Sequence, residues 1–263
     1  MEDYLPKTRK EVLHFCFRKH LGSILRLDLL SLLAFLPILF ALICKESYYI
    51  GILQKLTDAS TEDVLALGIQ TNLIFGLLEA LALLLFIFLL AGAVRVIRQL
   101  FWQEMYSFGS AFADGIRYNT GRFLLVGLFL VLPAFVLNCL VSTVPTRLLY
   151  WAYLLIYLPI CIWTLLQSAY YEQKLWPSVR NSVILMIHSL PETLLLTAVS
   201  VLPFYFLSNT SPLTLIKYFI ILGLALFYII PITMIWMLYA SHIFDKFINK
   251  EHFPDYYRRG MQP

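Results

Sequence analysis

Six stretches of the chain are apolar at nearly every position, over about residues 24–44, 73–94, 123–141, 148–167, 193–207 and 218–239. A helix that crosses the ~30 Å hydrocarbon layer of a membrane needs ~20 such residues. Unbroken runs of this length predict transmembrane helices, whereas an outer-membrane barrel would show alternating segments of ~10 residues. The fifth run is short unless residues 191–192 or 208–209 extend it. The first run starts well into the chain and exceeds the ~7–15-residue apolar region of a cleaved signal. It is expected to be a permanent anchor.

Amphipathic stretches precede the odd-numbered runs. The first opens with Thr8-x-x-Glu11, a capping-box pattern. Val12, Leu13, Cys16, Phe17 and Leu21 then fall on one side, with Lys10, His14 and Arg18 on the other. The second places Phe108, Phe112 and Ile116 against Ser110, Asp114 and Arg117. The third starts at Pro177 and sets Val179, Val183 and Met186 against Arg180 and Asn181. Helices of this kind are expected to lie in the headgroup plane.

These stretches recur with the runs that follow them. Phe35-Leu36-Pro37, Val131-Leu132-Pro133 and Val201-Leu202-Pro203 stand inside runs one, three and five. Arg26, Arg122 and Glu192 each lie eleven positions before one of these prolines. Tyr157-Leu158-Pro159 and Tyr228-Ile229-Ile230-Pro231 mark runs four and six. The predicted fold is therefore all-α. It is a six-span integral membrane helical bundle, one transmembrane domain over residues 1–263. Its three pseudo-repeats, about 6–95, 100–170 and 176–245, each consist of an interfacial amphipathic helix plus two transmembrane helices. The first outer loop, residues 45–71, carries an insertion, with a short capped helix expected from Ser60-Thr61-Glu62-Asp63 to Gly68.

Composition agrees with a lipid solvent. Apolar residues make up 60% and charged residues 14%, and mean hydropathy is +0.77. Soluble domains carry ~25% charged residues. Charge also sets orientation, because Lys and Arg concentrate on the cytoplasmic side. Sixteen of the twenty fall before or at the entry of run one, in the two even-numbered loops and after run six. Lys45, Lys55, Arg147 and Lys217 face the other side. Both termini are thus expected in the cytoplasm. The net charge of +4 reflects this asymmetry and does not indicate nucleic-acid binding.

The candidate chemistry is sparse. Glu79 is an acid well inside run two, and an intramembrane carboxylate is expensive enough to suggest function or pairing. Asn138, at comparable depth in run three, is the expected partner. Pro37, Pro133, Pro159, Pro203 and Pro231 interrupt runs and are candidate kinks or hinges. Arg95, Arg98, Arg117, Arg122 and Arg180 are candidate cytoplasmic elbow contacts. Cys16, Cys44, Cys139 and Cys161 lack metal-ligand spacing, and the five histidines do not cluster, so no metal and no cofactor are expected. No catalytic residues stand out, since the chain lacks a P-loop, Gly-x-Ser-x-Gly and His-Glu-x-x-His.

The block Arg95-Val96-Ile97-Arg98-Gln99-Leu100-Phe101-Trp102, followed by Phe108-x3-Phe112-x3-Ile116-Arg117-x-Asn119, resembles the YesL-like family of Firmicutes membrane proteins. So do Ser178-Val179-Arg180-Asn181-Ser182-Val183 running into Leu190-Pro191-x-Thr193-Leu194-Leu195-Leu196, and the tail from Phe244-Asp245-Lys246-Phe247-Ile248-Asn249-Lys250 to Phe253-Pro254. The likeness covers about residues 85–260. It implies a bacterial plasma-membrane protein beside a carbohydrate uptake transporter of the ATP-binding cassette (ABC) type, and it carries over no site residue. The expected function is a non-enzymatic, transport-associated accessory component, with the lipid bilayer and ABC transporter subunits as partners. The alternative is an autonomous small-molecule or lipid transporter using the kinked bundle and Glu79. An intramembrane enzyme ranks third.

Overall fold

The computed structural model describes residues 6–54, 60–139, 144–208 and 215–262. Lys55, Asn209 and residues 140–141 of the third expected span lie outside the described residues, as does the side chain of Arg147.

Helix α1 spans Arg9–Lys19. Its start follows the sequence pattern. Thr8 is the N-cap, and its hydroxyl accepts from the Glu11 amide at 3.3 Å. Glu11 reaches back to the Lys7 amide at 2.8 Å. Val12 and Cys16 are buried, as the pattern requires, but Leu21 is exposed. The chain breaks at His20 and continues as α2, Leu21–Leu53.

Helix α3 runs unbroken over Thr61–Trp102. The expected short helix at residue 60 is in fact its first turn, closed by a reciprocal Ser60–Asp63 capping box. Single glycines cost only ~1 kcal/mol in a helix, so Gly68 does not stop it. At ~1.5 Å per residue the helix is about 60 Å long, twice the hydrocarbon thickness. The 45–71 segment is thus largely helical extension of α2 and α3.

Helix α4, Phe108–Cys139, carries the second amphipathic stretch and the third apolar run as one rod. No elbow separates them, because no breaker stands between Phe108 and Pro133. The face turned inward includes the expected Phe108 and Phe112, which pack against the core, but is centred beside them. Ala111, Gly115 and Asn119 are buried, while the aromatic positions lie beside them.

Helices α5 (Val144–Ala152) and α6 (Leu158–Tyr170) are joined through a π turn at Tyr153–Tyr157. Helix α7, Leu175–His188, is a separate amphipathic helix, ended at Ser189 before α8, Leu190–Ser208. Its inward face combines two serines with Leu185 and Met186. Ser178 and Ser182 are buried, and Gln167 of α6 donates to the Ser182 hydroxyl at 2.7 Å and to the Ser178 carbonyl at 3.2 Å. Helices α9 (Leu215–Phe227) and α10 (Ile229–Phe244) meet at Tyr228. A second π turn, Asp245–Asn249, leads into the short α11, Lys250–His252.

Among the described residues, five helices are long and apolar enough to cross a membrane, or six if the pair bent by 43° at Tyr228 forms one span. Their outward positions are apolar, including Leu29, Leu33, Phe40, Leu77, Leu81, Phe129, Leu195 and Phe219. Water would not tolerate this surface, but lipid does. The protein is membrane-embedded and helical, with no strand among the described residues.

Candidate functional site

The described residues place ionic groups at both ends of the bundle. At one end, adjacent residues of α2 face two different helices. Lys45 forms an ion pair with Glu79 of α3 at 3.3 Å. Glu46 turns to α9, where Lys217 and the Tyr218 hydroxyl both donate to its carboxylate. Successive helical residues point about 100° apart, so a Lys-Glu dipeptide can tie three helices together. Lys217 is only 4% exposed, and its charge is compensated by Glu46.

The sequence paired Glu79 with Asn138. The structure instead gives Glu79 a cation. Asn138 is exposed, and its carbonyl accepts from the Asn72 side chain at 2.9 Å. Glu79 therefore sits in a neutralised pair, which greatly lowers the cost of a carboxylate at this depth.

The prolines divide into two groups. Pro37, Pro133 and Pro203 lie inside α2, α4 and α8, which continue through them. Pro159 follows the first π turn, and Pro231 follows the 43° bend at Tyr228. A proline removes the hydrogen bond to the carbonyl four residues earlier. For Pro133 that carbonyl belongs to Phe129, and Tyr157 donates its hydroxyl to it at 2.8 Å. For Pro203 it belongs to Val199, and Tyr228 donates to it. The freed acceptor in runs three and five is thus satisfied by a tyrosine from the next run. Tyr157→Phe is expected to leave a carbonyl without a donor and to cost about 1 kcal/mol. Detergent unfolding of this variant beside Tyr153→Phe, whose hydroxyl serves Leu130 at 3.0 Å, measures the contribution.

At the opposite end the termini meet. The Gln262 amide donates to the Pro6 carbonyl at 3.0 Å. Arg9 of α1 pairs with Asp245 of the second π turn. Asp245 also accepts from Asn249 at 2.7 Å, and Asn249 in turn accepts from the Tyr171 hydroxyl at 2.5 Å. This chain of polar groups joins α1, the end of α6 and the end of α10. Arg259 pairs with Glu104 at 2.7 Å and stacks over Trp102. Gly260, at φ +80°, seats the C-terminal turn against α3, where an added Cβ would lie 2.0 Å from the Phe101 carbonyl oxygen. Burial pushes the Cys16 thiol in this region up to about 12, so it stays a neutral, inert side chain.

The five elbow arginines do not act alike. Arg98 donates to the Ala169 carbonyl and lies over Trp102. Arg122 donates to the Tyr171 carbonyl at 3.1 Å. Both thus satisfy acceptors that the end of α6 leaves open. Arg95 is half-buried, packed beside Gly115. Arg117 and Arg180 are exposed and remain the two of this set available to a partner.

Three clefts open at this same end. One of about 550 Å³ lies between Lys19, His20, Arg26 and the α3–α4 turn. One of about 380 Å³ lies between Arg9, Lys246, Lys250 and Arg258. One of about 440 Å³ lies beside α7, between Asn181, Phe247 and Phe253. In contrast, a cavity among Leu27, Ser31, Phe86 and Phe112 within the bundle holds about 10 Å³, roughly one water.

No protein-family model, curated protein or solved structure matches the chain. Sequence reasoning missed Lys45, Glu46, Lys217, Asp245 and Asn249. The only signals were an adjacent Lys-Glu pair at a helix end and an Asp-x3-Asn spacing.

Proposed function

We propose that this protein is a non-enzymatic accessory component of a membrane transport system. In this reading it crosses the bacterial plasma membrane six times. Both termini lie in the cytoplasm, and it engages a partner through the end where they meet. The observation that carries it is the contrast between the two parts of the molecule. The end formed by the termini is cross-linked by Arg9–Asp245 and Arg259–Glu104 and has three open clefts. Within the bundle, the cavity among Leu27, Ser31, Phe86 and Phe112 holds only about 10 Å³. A braced, indented surface suits docking better than conduction. Met105 and Trp176, both highly exposed in this region, and the exposed Arg117 and Arg180 supply contact groups typical of interfaces.

Six spans follow if α9 and α10 count as one broken helix. The equivalent roles of Tyr157 and Tyr228 favour a repeat in at least the second and third units. The resemblance to the YesL-like family adds a carbohydrate ABC permease or its ATPase as the partner class. Gentle detergent extraction from the native membrane, followed by mass spectrometry, tests the reading. Stoichiometric recovery of a permease or ATPase is expected, and repeated recovery of the protein alone would contradict it.

The Lys45–Glu79 pair favours a second reading, an autonomous small-molecule or lipid transporter that uses the kinked bundle and Glu79. Glu79→Gln would then abolish substrate flux in proteoliposomes. Under the accessory reading that variant leaves the partner's transport unchanged, at a modest stability loss from the uncompensated Lys45.

A further inference from the structure

The 380 Å³ cleft at the end formed by the termini has an unusual charge balance. Arg9, Lys246, Lys250 and Arg258 line it, together with His242, Tyr257 and Met261. Among the described lining residues the one acid is Asp245, and it is already engaged by Arg9 and Asn249. Four cations against one carboxylate leave three positive charges around a concave space.

This arrangement differs from a solvated basic face in three ways. First, the cations come from three separate segments: α1, the end of α10 and the C-terminal turn. Second, the buried Nη1 of Arg9 has no hydrogen-bond partner among the described residues. A guanidinium normally fills its donors when removed from water. Third, the backbone is shaped to hold the cations there. His242, Lys246 and Lys250 are spaced i, i+4 and i+8 across the π turn, whose wider coil keeps such a series near one face. Turns of this type occur often at functional sites. Arg258 adopts a left-handed conformation (φ 52°), which costs a non-glycine residue ~1 kcal/mol or more. Its side chain donates to the Lys7 carbonyl at 3.4 Å.

We propose that this cleft is a binding site for a phosphate-bearing anion. A phosphomonoester or diphosphate supplies the charge and the several acceptor oxygens that the cluster of donors lacks. The volume accommodates a phosphate with a small attached group. The same chemistry is offered by an anionic lipid headgroup and by a soluble phosphorylated molecule. The site stands whether or not a transporter subunit docks at this end, because it is argued from the lining cations alone.

The test uses the full-length protein in detergent and in nanodiscs. Inorganic pyrophosphate and phosphatidic acid are the two probes, with sodium sulfate and phosphatidylcholine as references at matched ionic strength. Lys246 and Lys250 are exposed, so the double variant Lys246→Gln/Lys250→Gln is expected to fold. Without anion it is expected to melt no lower than the native protein, since like-charge repulsion is relieved. Pyrophosphate is expected to raise the native melting temperature, with at least tenfold weaker affinity in the double variant and no change in Lys10→Gln/Arg117→Gln. That result assigns a soluble ligand. Retention of phosphatidic acid in native mass spectra, lost in the double variant, assigns a lipid headgroup. Equal response to sulfate and pyrophosphate, together with unaltered lipid retention in the double variant, would overturn the site.

Discussion

Asp245→Ala is expected to destabilise the protein by about 3 kcal/mol, the range found when one partner of a largely buried ion pair is removed. Both side chains of the Arg9–Asp245 pair are mostly shielded, with 16% and 11% exposure. Removing the carboxylate leaves the Arg9 guanidinium without a counter-charge. It also frees the Asn249 amide, which holds the Tyr171 hydroxyl. Three segments then lose a common anchor at once. Asp245→Asn separates charge from hydrogen bonding, because it keeps an acceptor for Arg9 but loses the ionic attraction. It should recover roughly half of the loss. Thermal unfolding in detergent, with proteolysis of the N-terminal helix as a local probe, reads both effects. A drop no larger than that of Glu11→Ala, at the exposed cap of α1, would show that the pair contributes little.

Gly115→Leu should be at least as damaging, and by a different route. Helices α3 and α4 approach so closely that a Cβ on Gly115 would lie 2.7 Å from the Arg95 Cβ, 2.9 Å from the Ala91 carbonyl oxygen and 2.9 Å from the Gly92 Cα. Two of these three neighbours are backbone atoms and cannot rotate aside. The same approach lets Asn119 donate to the Ala91 carbonyl at 3.3 Å. Small residues at such a crossing replace the hydrophobic drive that lipid does not supply. Gly115→Ala is expected to cost about 1–3 kcal/mol. Leucine should separate the helices altogether and lower the yield of folded protein. The matched control is Gly121→Leu, where an added Cβ meets nothing within 4 Å. Equal yields for the two leucine variants would contradict the close approach.

The apolar runs were legible because lipid imposes one demand, about twenty consecutive apolar residues, on every span. The cap of α1 was legible for a related reason. Thr8 and Glu11 act within one turn, so their pairing depends on spacing alone. Distance along the chain defeats this kind of reading. Glu46 and Lys217 are separated by most of the protein, as are Arg9 and Asp245, and nothing local distinguishes them from solvated charges. Glu79 was noticed because it stands alone in an apolar run, but its partner was sought inside run three, whereas Lys45 lies just past the end of run one. The amphipathic stretches were legible only in part. Hydrophobicity picked out Phe112 and Met186, which do pack inward, but not Gly115, Ser178 and Ser182, which α4 and α7 also bury. Small and hydroxylated residues let helices approach closely in a membrane bundle, a contribution that hydrophobicity alone does not register.

The side-by-side position of the termini makes the membrane topology the most direct test. Single cysteines would be placed at Met105, Trp176 and Asp255, all exposed at the terminal end, and at Gln70, exposed near the other end, in a cysteine-free background. A membrane-impermeant maleimide is then applied to intact and to permeabilised cells. The account predicts labelling of residue 70 in intact cells and of residues 105, 176 and 255 only after permeabilisation. Labelling of residue 105, 176 or 255 from outside would contradict a six-span chain that presents this surface to the cytoplasm.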